Sequence, residues 1–120
     1  MKVRLTKRFR FEASHCLDHL PQEHPCFNSH GHSYKVDIEV YGEVDPVSGF
    51  MIDYGDLKKI VKPSIDLLDH QHLNNIEDLK YTTTEYLAKW LWDRVYPQLP
   101  ELTKIIIYET GSTSCEYCGE

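Results

Sequence analysis

Three histidines in the first third of the sequence have the spacing of a metal site. His30-Gly31-His32 places two imidazoles two residues apart, and residues i and i+2 of an extended chain point to the same side. His15 shares the register of the apolar positions in the preceding segment. Zinc favours imidazole ligands, and three protein ligands leave a fourth position open. A lone inward histidine is usually a core residue with a satisfied hydrogen bond, but the pair with a third histidine in phase favours metal binding.

A cysteine lies four residues before this pair, and two interpretations of Cys26 stay open. A thiol beside a cation can have a lowered pKa and act as a base or nucleophile. Cys26 is equally suited to be a fourth zinc ligand, which would close the site and make it structural. The spacing does not decide between them. The histidines of the same loop, His19 and His24, are interpreted as surface or substrate-proximal residues.

Two acidic groups later in the chain each have a functional and a structural interpretation. Asp69 next to His70 has the composition of a proton relay, but the pair also suits the end of a helix. Glu109 follows Ile105 and Ile107 in register, so it either lies at the solvent rim or accepts hydrogen bonds from a ligand. Cys115-x-x-Cys118 has no second pair and is interpreted as packing.

The elements that would position these residues follow from hydrophobic periodicity. Alternation of period two predicts strands over 3–13 and 34–40, a β-branched run predicts a strand at 105–107, and a last strand is expected near 115–118. Phe50 to Ile52 is expected to be a short return strand. Helical spacing predicts a helix over 54–67, which Pro63 should bend or end early. A second helix begins with a capping box, Thr82-x-x-Glu85. The order β-β-α-α-β-β predicts an α+β antiparallel sheet with two helices on one face.

Length and composition bound the function classes. The 120 residues predict one domain spanning 1–120, with a core thin enough to favour oligomerisation. A net charge of −6 disfavours a nucleic-acid partner but leaves a phosphorylated small molecule possible. No signal peptide and no membrane span are seen, so we expect a cytoplasmic protein with no membrane partner. Lys35 and Arg10 are candidate phosphate contacts by charge alone.

The motifs taken together resemble the 6-pyruvoyltetrahydropterin synthase superfamily, and within it the branch that makes 6-carboxy-5,6,7,8-tetrahydropterin. The spacing Cys26-x3-His30 is similar to that branch. The resemblance covers essentially the whole chain and rests on Phe11-Glu12-Ala13-Ser14-His15, His30-Gly31-His32, Gly42-Glu43-Val44-Asp45-Pro46, Met51-Ile52-Asp53-Tyr54, Leu68-Asp69-His70, Leu73-Asn74, Thr83-x-Glu85, Glu109-Thr110 and Cys115-x-Tyr117-x-Gly119-Glu120.

The resemblance implies a tunnelling fold (T-fold) that assembles into an oligomeric barrel, usually a homohexamer of two trimers with sites at subunit interfaces. It implies that three histidines bind Zn²⁺, that a cysteine abstracts a substrate proton, that an Asp-His pair completes a relay, and that a glutamate anchors the pterin ring with help from a threonine. These residues are His15, His30 and His32; Cys26; Asp69 and His70; Glu109; and Thr83.

The activity that the resemblance implies is a carbon–carbon lyase reaction. The substrate would be 7,8-dihydroneopterin triphosphate, and the products 6-carboxytetrahydropterin, acetaldehyde and triphosphate, on the route to queuosine. Two alternatives stay open: a synthase that makes the 6-pyruvoyl product without breaking the carbon chain, and a non-catalytic zinc-stabilised domain with Cys26 as fourth ligand.

Overall fold

The fold consists of one five-stranded sheet and two helices that pack on one face of the sheet. The structure is a computed structural model that describes residues 1–120. The elements are β1 (Lys2–His15), β2 (His30–Glu43), α1 (Tyr54–Leu68), β3 (Gln71–His72), α2 (Thr84–Val95), β4 (Leu102–Thr110) and β5 (Thr113–Tyr117). The strand order is β3-β1-β2-β4-β5. The predicted α+β class and its two-helix layer are confirmed.

A long hairpin of β1 and β2 forms the centre of the sheet. The two strands pair antiparallel from Lys2 opposite Glu43 to His15 opposite His30. Odd positions of β1 and even positions of β2 face the helices, which is why their alternation was visible in the sequence. The buried side chains of this face are Phe9, Phe11, Ala13, His15, Tyr34, Val36, Ile38 and Val40.

The helices close the core over this face. α1 packs against β1, and α2 packs against β4 and β5. Their buried stripes repeat every three or four residues, as amphipathic helices require: Leu57, Val61, Ile65 and Leu68 from α1, and Leu87, Trp90, Leu91 and Val95 from α2. No helix in the structure is both long enough and apolar enough to cross a membrane.

The opposite face of the sheet is polar and is held by an ion pair. Arg8 donates through Nε to Asp37 Oδ1 at 2.7 Å and through Nη2 to Oδ2 at 2.9 Å. The Tyr108 hydroxyl donates to the same carboxylate at 3.3 Å. These hydrogen bonds, those of Arg8 first, hold the pKa of Asp37 below its ordinary value despite its burial.

Three local predictions were wrong, and a fourth is narrowed to one of its two alternatives. The sheet is mixed, because β3 pairs parallel with Ala13 and Ser14 of β1. Residues 50–52 form no strand. Of the two effects expected of Pro63, an early end of α1 is not seen, because the helix continues to Leu68; the ring lies on the exposed side, while Ser64, Ile65 and Leu68 bury the following turn. The N-cap residue of α2 is Thr83 and not Thr82, and its side chain makes no capping hydrogen bond.

Candidate metal and substrate site

The three histidines meet at one end of the hairpin, on the face that the helices cover. His15 and His30 are cross-strand partners, and His32 lies one i+2 step along β2. Each offers a ring nitrogen, and these nitrogens all lie within 4.8 Å of one another. The ring centroids are separated by 4.5, 5.0 and 5.2 Å. The structure therefore brings together the three side chains that the sequence placed on one face.

Hydrogen bonds at Nδ1 fix the orientation of two of the three histidine rings. His15 Nδ1 lies 3.0 Å from the carbonyl oxygen of Thr82, and His30 Nδ1 lies 2.8 Å from the carbonyl oxygen of Asn28. A carbonyl only accepts, so each Nδ1 carries the proton and donates it. The lone pair of each imidazole is then on Nε2. Metal-ligating histidines characteristically have this second hydrogen bond.

Two of the Nε2 nitrogens have no hydrogen-bond partner within the protein. His15 Nε2 and His32 Nε2 are buried and make no hydrogen bond. Burial, more than the neighbouring histidines, lowers the pKa of His15 to about 4, so this imidazole is neutral at pH 7. Buried polar atoms without partners are rare in native proteins. Three imidazoles whose ring nitrogens gather within 4.8 Å, two of them buried without a partner, therefore fit a metal ion by their chemistry as well as by their geometry.

Glu109 closes one side of the cluster. Its Oε1 lies 3.7 Å from His32 Nε2, and its Oε2 lies 3.9 Å from His15 Nε2. It is the residue after Tyr108, which pairs with Lys35 at the end of the β2–β4 ladder. Its side chain is 28% exposed. The carboxylate thus faces both the histidines and the solvent, where it could accept hydrogen bonds from a bound ligand.

Cys26 and Thr83 line the same cavity as two of the three histidines, His15 and His30. This cavity is lined by His15, Leu17, Cys26, His30, Thr83, Thr84, Glu85 and Glu109. Cys26 lies in a short 3₁₀ turn, Pro25–Phe27, that His24 caps by accepting from the Cys26 backbone N–H at 3.1 Å. The Cys26 carbonyl accepts from the Leu17 N–H at 2.7 Å, which anchors this turn against the loop that follows β1. The thiol is half-buried.

The Asp-His pair lies elsewhere. Asp69 caps the end of α1, and its Oδ1 accepts from the Glu12 N–H at 2.9 Å and lies 3.0 Å from His70 Nδ1. The Glu12 hydrogen bond is the main reason that the pKa of Asp69 lies below its ordinary value. His70 lines a second cavity with Ser14, His32 and His72. Within one chain, the structure does not bring this pair into the cavity of Cys26.

His70 also has an unusual backbone conformation. Its φ of 58° is in the left-handed region that favours glycine. Its N–H donates to the Glu12 carbonyl at 2.6 Å, which pins the chain as it leaves α1. A strained non-glycine residue at this position is a reason to look for a functional role of its side chain.

Sequence reasoning missed three contributors to the site. Thr82 had been assigned to a helix cap, but its carbonyl orients His15 and its hydroxyl donates to the Cys16 carbonyl at 3.3 Å. The Asn28 carbonyl belongs to a loop without periodicity, so no pattern could reveal it. Tyr34 begins the predicted strand 34–40, and its ring centroid lies 5.5 Å from that of His32; the HGHxY spacing, which puts it in phase with His32, is the signal that could have found it.

The fold and the cluster define a class of protein: an α+β domain with three clustered histidines on a β-hairpin, beside the carboxylate of Glu109. Comparison with known proteins then gives the family. The family model "6-pyruvoyl tetrahydropterin synthase" matches residues 4–120. The chain belongs to this family of pterin-metabolising enzymes, whose members are metal-dependent.

The following relatives match this chain over nearly its whole length. A 6-pyruvoyl tetrahydrobiopterin synthase of Dictyostelium discoideum is 37% identical and is covered over 97% of its length by 98% of this chain. A dihydroneopterin monophosphate aldolase of Pyrococcus furiosus is 34% identical, with 97% of each chain covered. The structure of Caenorhabditis elegans 6-pyruvoyl tetrahydropterin synthase is similar with a TM-score of 0.92 at 28% identity, covering 100% of this chain and 97% of that one.

Proposed function

We propose that the protein is a zinc-dependent 6-carboxy-5,6,7,8-tetrahydropterin synthase. It would convert 7,8-dihydroneopterin triphosphate to 6-carboxytetrahydropterin, acetaldehyde and triphosphate, a step toward queuosine and related 7-deazapurines in the cytoplasm. The observation that carries the proposal is the set of converging, unpartnered nitrogens on His15 and His32, completed by His30 and facing Glu109. The short Cys26-x3-His30 spacing supports the carboxy-forming branch.

The residues of the chain would divide the work as follows. His15, His30 and His32 hold the zinc, which supplies Lewis acidity toward oxygens of the substrate side chain. Glu109 accepts hydrogen bonds from the guanidine-like edge of the pterin ring. Thr83 lines the same cavity and offers a hydroxyl to that ring.

Cys26 is the proposed base. As a thiolate it would take a proton from the substrate carbon next to the ring, and it lines the cavity that Glu109 and two of the proposed ligands share. The compact cluster of metal-ligating atoms contains only the three histidines. This supports a catalytic role for the thiol over a fourth-ligand role.

Asp69 and His70 would act as a relay across a subunit boundary. His70 lines a separate cavity from Cys26 within the chain, so a complete relay needs a second copy. The outer edge of β1 supports such an assembly, because β3 pairs with it only at Ala13 and Ser14 and the rest of that edge has no partner strand. An open edge readily accepts a strand from another chain. We propose a homohexamer made of two trimers.

A second candidate is formation of the 6-pyruvoyl product, the activity for which the Dictyostelium discoideum relative is named. Both reactions would use the same site, so the product separates them. Zinc-loaded protein should be incubated with 7,8-dihydroneopterin triphosphate, and the products identified by mass spectrometry. Carboxytetrahydropterin with acetaldehyde supports the proposal, whereas pyruvoyltetrahydropterin transfers the site assignments to the sister reaction.

Replacement of the cysteine tests the base against the structural ligand. We expect Cys26→Ala to lose at least about a hundredfold in kcat, as expected for loss of a general base, while still binding one zinc ion per chain. Cys118→Ala is the matched control, because Cys118 is exposed and does not line the cavity. Loss of zinc and of folding stability in Cys26→Ala would instead identify a closed structural site.

A further inference from the structure

Three buried side-chain atoms in the chain have no hydrogen-bond partner, and two of them are the metal-facing nitrogens already described. The third is the hydroxyl oxygen of Tyr34. Tyr34 is fully buried, with 0% of its surface exposed. A buried tyrosine usually finds a partner for its hydroxyl, because burying that group alone costs more than packing a phenylalanine of the same shape.

The ring of Tyr34 leans toward the histidines. His15 pairs with His30, which is four residues from Tyr34, or about 13 Å along an extended strand. The ring centroids of His15 and Tyr34 are nevertheless only 6.3 Å apart, so the two side chains incline toward each other. The ring of His32 is closer still, at 5.5 Å and nearly perpendicular.

Packing on the other side holds the ring in this direction. Phe11 is the cross-strand partner of Tyr34, and the two rings stack with centroids 4.6 Å apart and planes 9° from parallel. The hydroxyl is at the far end of a ring that can neither rotate away nor reach solvent. Its missing partner must therefore come to it, at the end of the hairpin where the two histidine nitrogens also lack partners.

We propose that Tyr34 is a positioning residue of the metal site, with its O–H donating a hydrogen bond to an oxygen ligand held beside His15 and His32. The inference rests on the proposed metal site and adds to it Tyr34, a buried residue that lies beside the three ligands without being one of them. The acceptor is an oxygen with a free lone pair, supplied by water in the resting protein. Phenylalanine would keep the packing against Phe11 and lose only this hydrogen bond.

The test uses zinc alone with the full-length chain. We expect Tyr34→Phe to bind Zn²⁺ about tenfold more weakly in competition with a chromophoric chelator, as is typical when an outer partner of a metal site is removed. The melting temperature of metal-free Tyr34→Phe should equal or exceed that of the wild type, because an unpartnered donor has been removed. Zinc should then raise the melting temperature of Tyr34→Phe by less than it raises that of the wild type.

Tyr108→Phe is the matched control. It also removes one tyrosine hydroxyl, but from the opposite face of the sheet, where that group already donates to Asp37. It should lower stability equally with and without zinc and leave the zinc affinity unchanged. Equal zinc affinity in wild type and Tyr34→Phe overturns this inference alone. Failure of the wild type to bind zinc overturns the proposed metal site, and this inference with it.

Discussion

The burial of His15 makes the stability of the metal-free protein depend on pH, and the size of the effect follows from its surroundings. His15 is 1% exposed, and burial lowers its pKa from 6.5 to about 4. The unfolded chain therefore binds a proton at this residue between these two pKa values and the folded chain does not, so acid favours unfolding. Between about pH 7 and pH 5 this one residue should remove about 2 kcal/mol of unfolding free energy.

Urea unfolding of chelator-treated protein measures this directly. The wild type should lose more unfolding free energy between the two pH values than His15→Gln does, and the difference between the two losses isolates His15 from the other titrating groups. Gln keeps a side-chain N–H for the Thr82 carbonyl but does not titrate. Equal losses in the two proteins would refute the argument, since they would mean that His15 is not desolvated in the fold.

Two further perturbations test the fold around the site. Pro63→Ala should raise the unfolding free energy by about 1–2 kcal/mol in urea titrations, because it restores an N–H donor to the carbonyl of Lys59 inside α1. The control Lys59→Ala, an exposed change in the same helix, should leave the unfolding free energy almost unchanged. A loss of stability in Pro63→Ala would contradict the interpretation. Gly119→Ala should lower stability by about 1 kcal/mol and alter tryptophan fluorescence, because Gly119 has a φ of 84° and a Cβ there would come within 2.7 Å of Trp92 Cε2. Unchanged fluorescence would mean that the C-terminal residues do not pack on Trp92.

The sequence predicted those elements in which one face is buried and the other is not. The alternation in β1 and β2 gave both strands and the shared face of the three histidines, because a period of two ties register to burial. The return strand expected at Phe50 to Ile52 was wrong because three residues have too little periodicity to separate a strand from a turn. α1 does not end at Pro63, because tertiary burial of Ile65 and Leu68 outweighs one lost helical hydrogen bond.

At the site, the sequence was informative about side chains and silent about backbone partners. His15, His30 and His32 could be grouped because their spacing is local. The roles of the Thr82 and Asn28 carbonyls could not be predicted, because every residue has a carbonyl and only the tertiary fold selects which ones face an imidazole. The separation of His70 from Cys26 was equally invisible, because it depends on which edge of the sheet the chain reaches after α1, where β3 pairs with β1.

The arrangement of the site also has a consequence for the order of folding. All three proposed ligands belong to one hairpin, with His15 directly opposite His30. The carbonyl that orients His15 lies 67 residues further along the chain, and Glu109 arrives later still, on β4. Local contacts form faster than distant ones, so a newly made chain should gather its three imidazoles before it acquires the groups that tune them. Metal capture and completion of the site are therefore separable events in time.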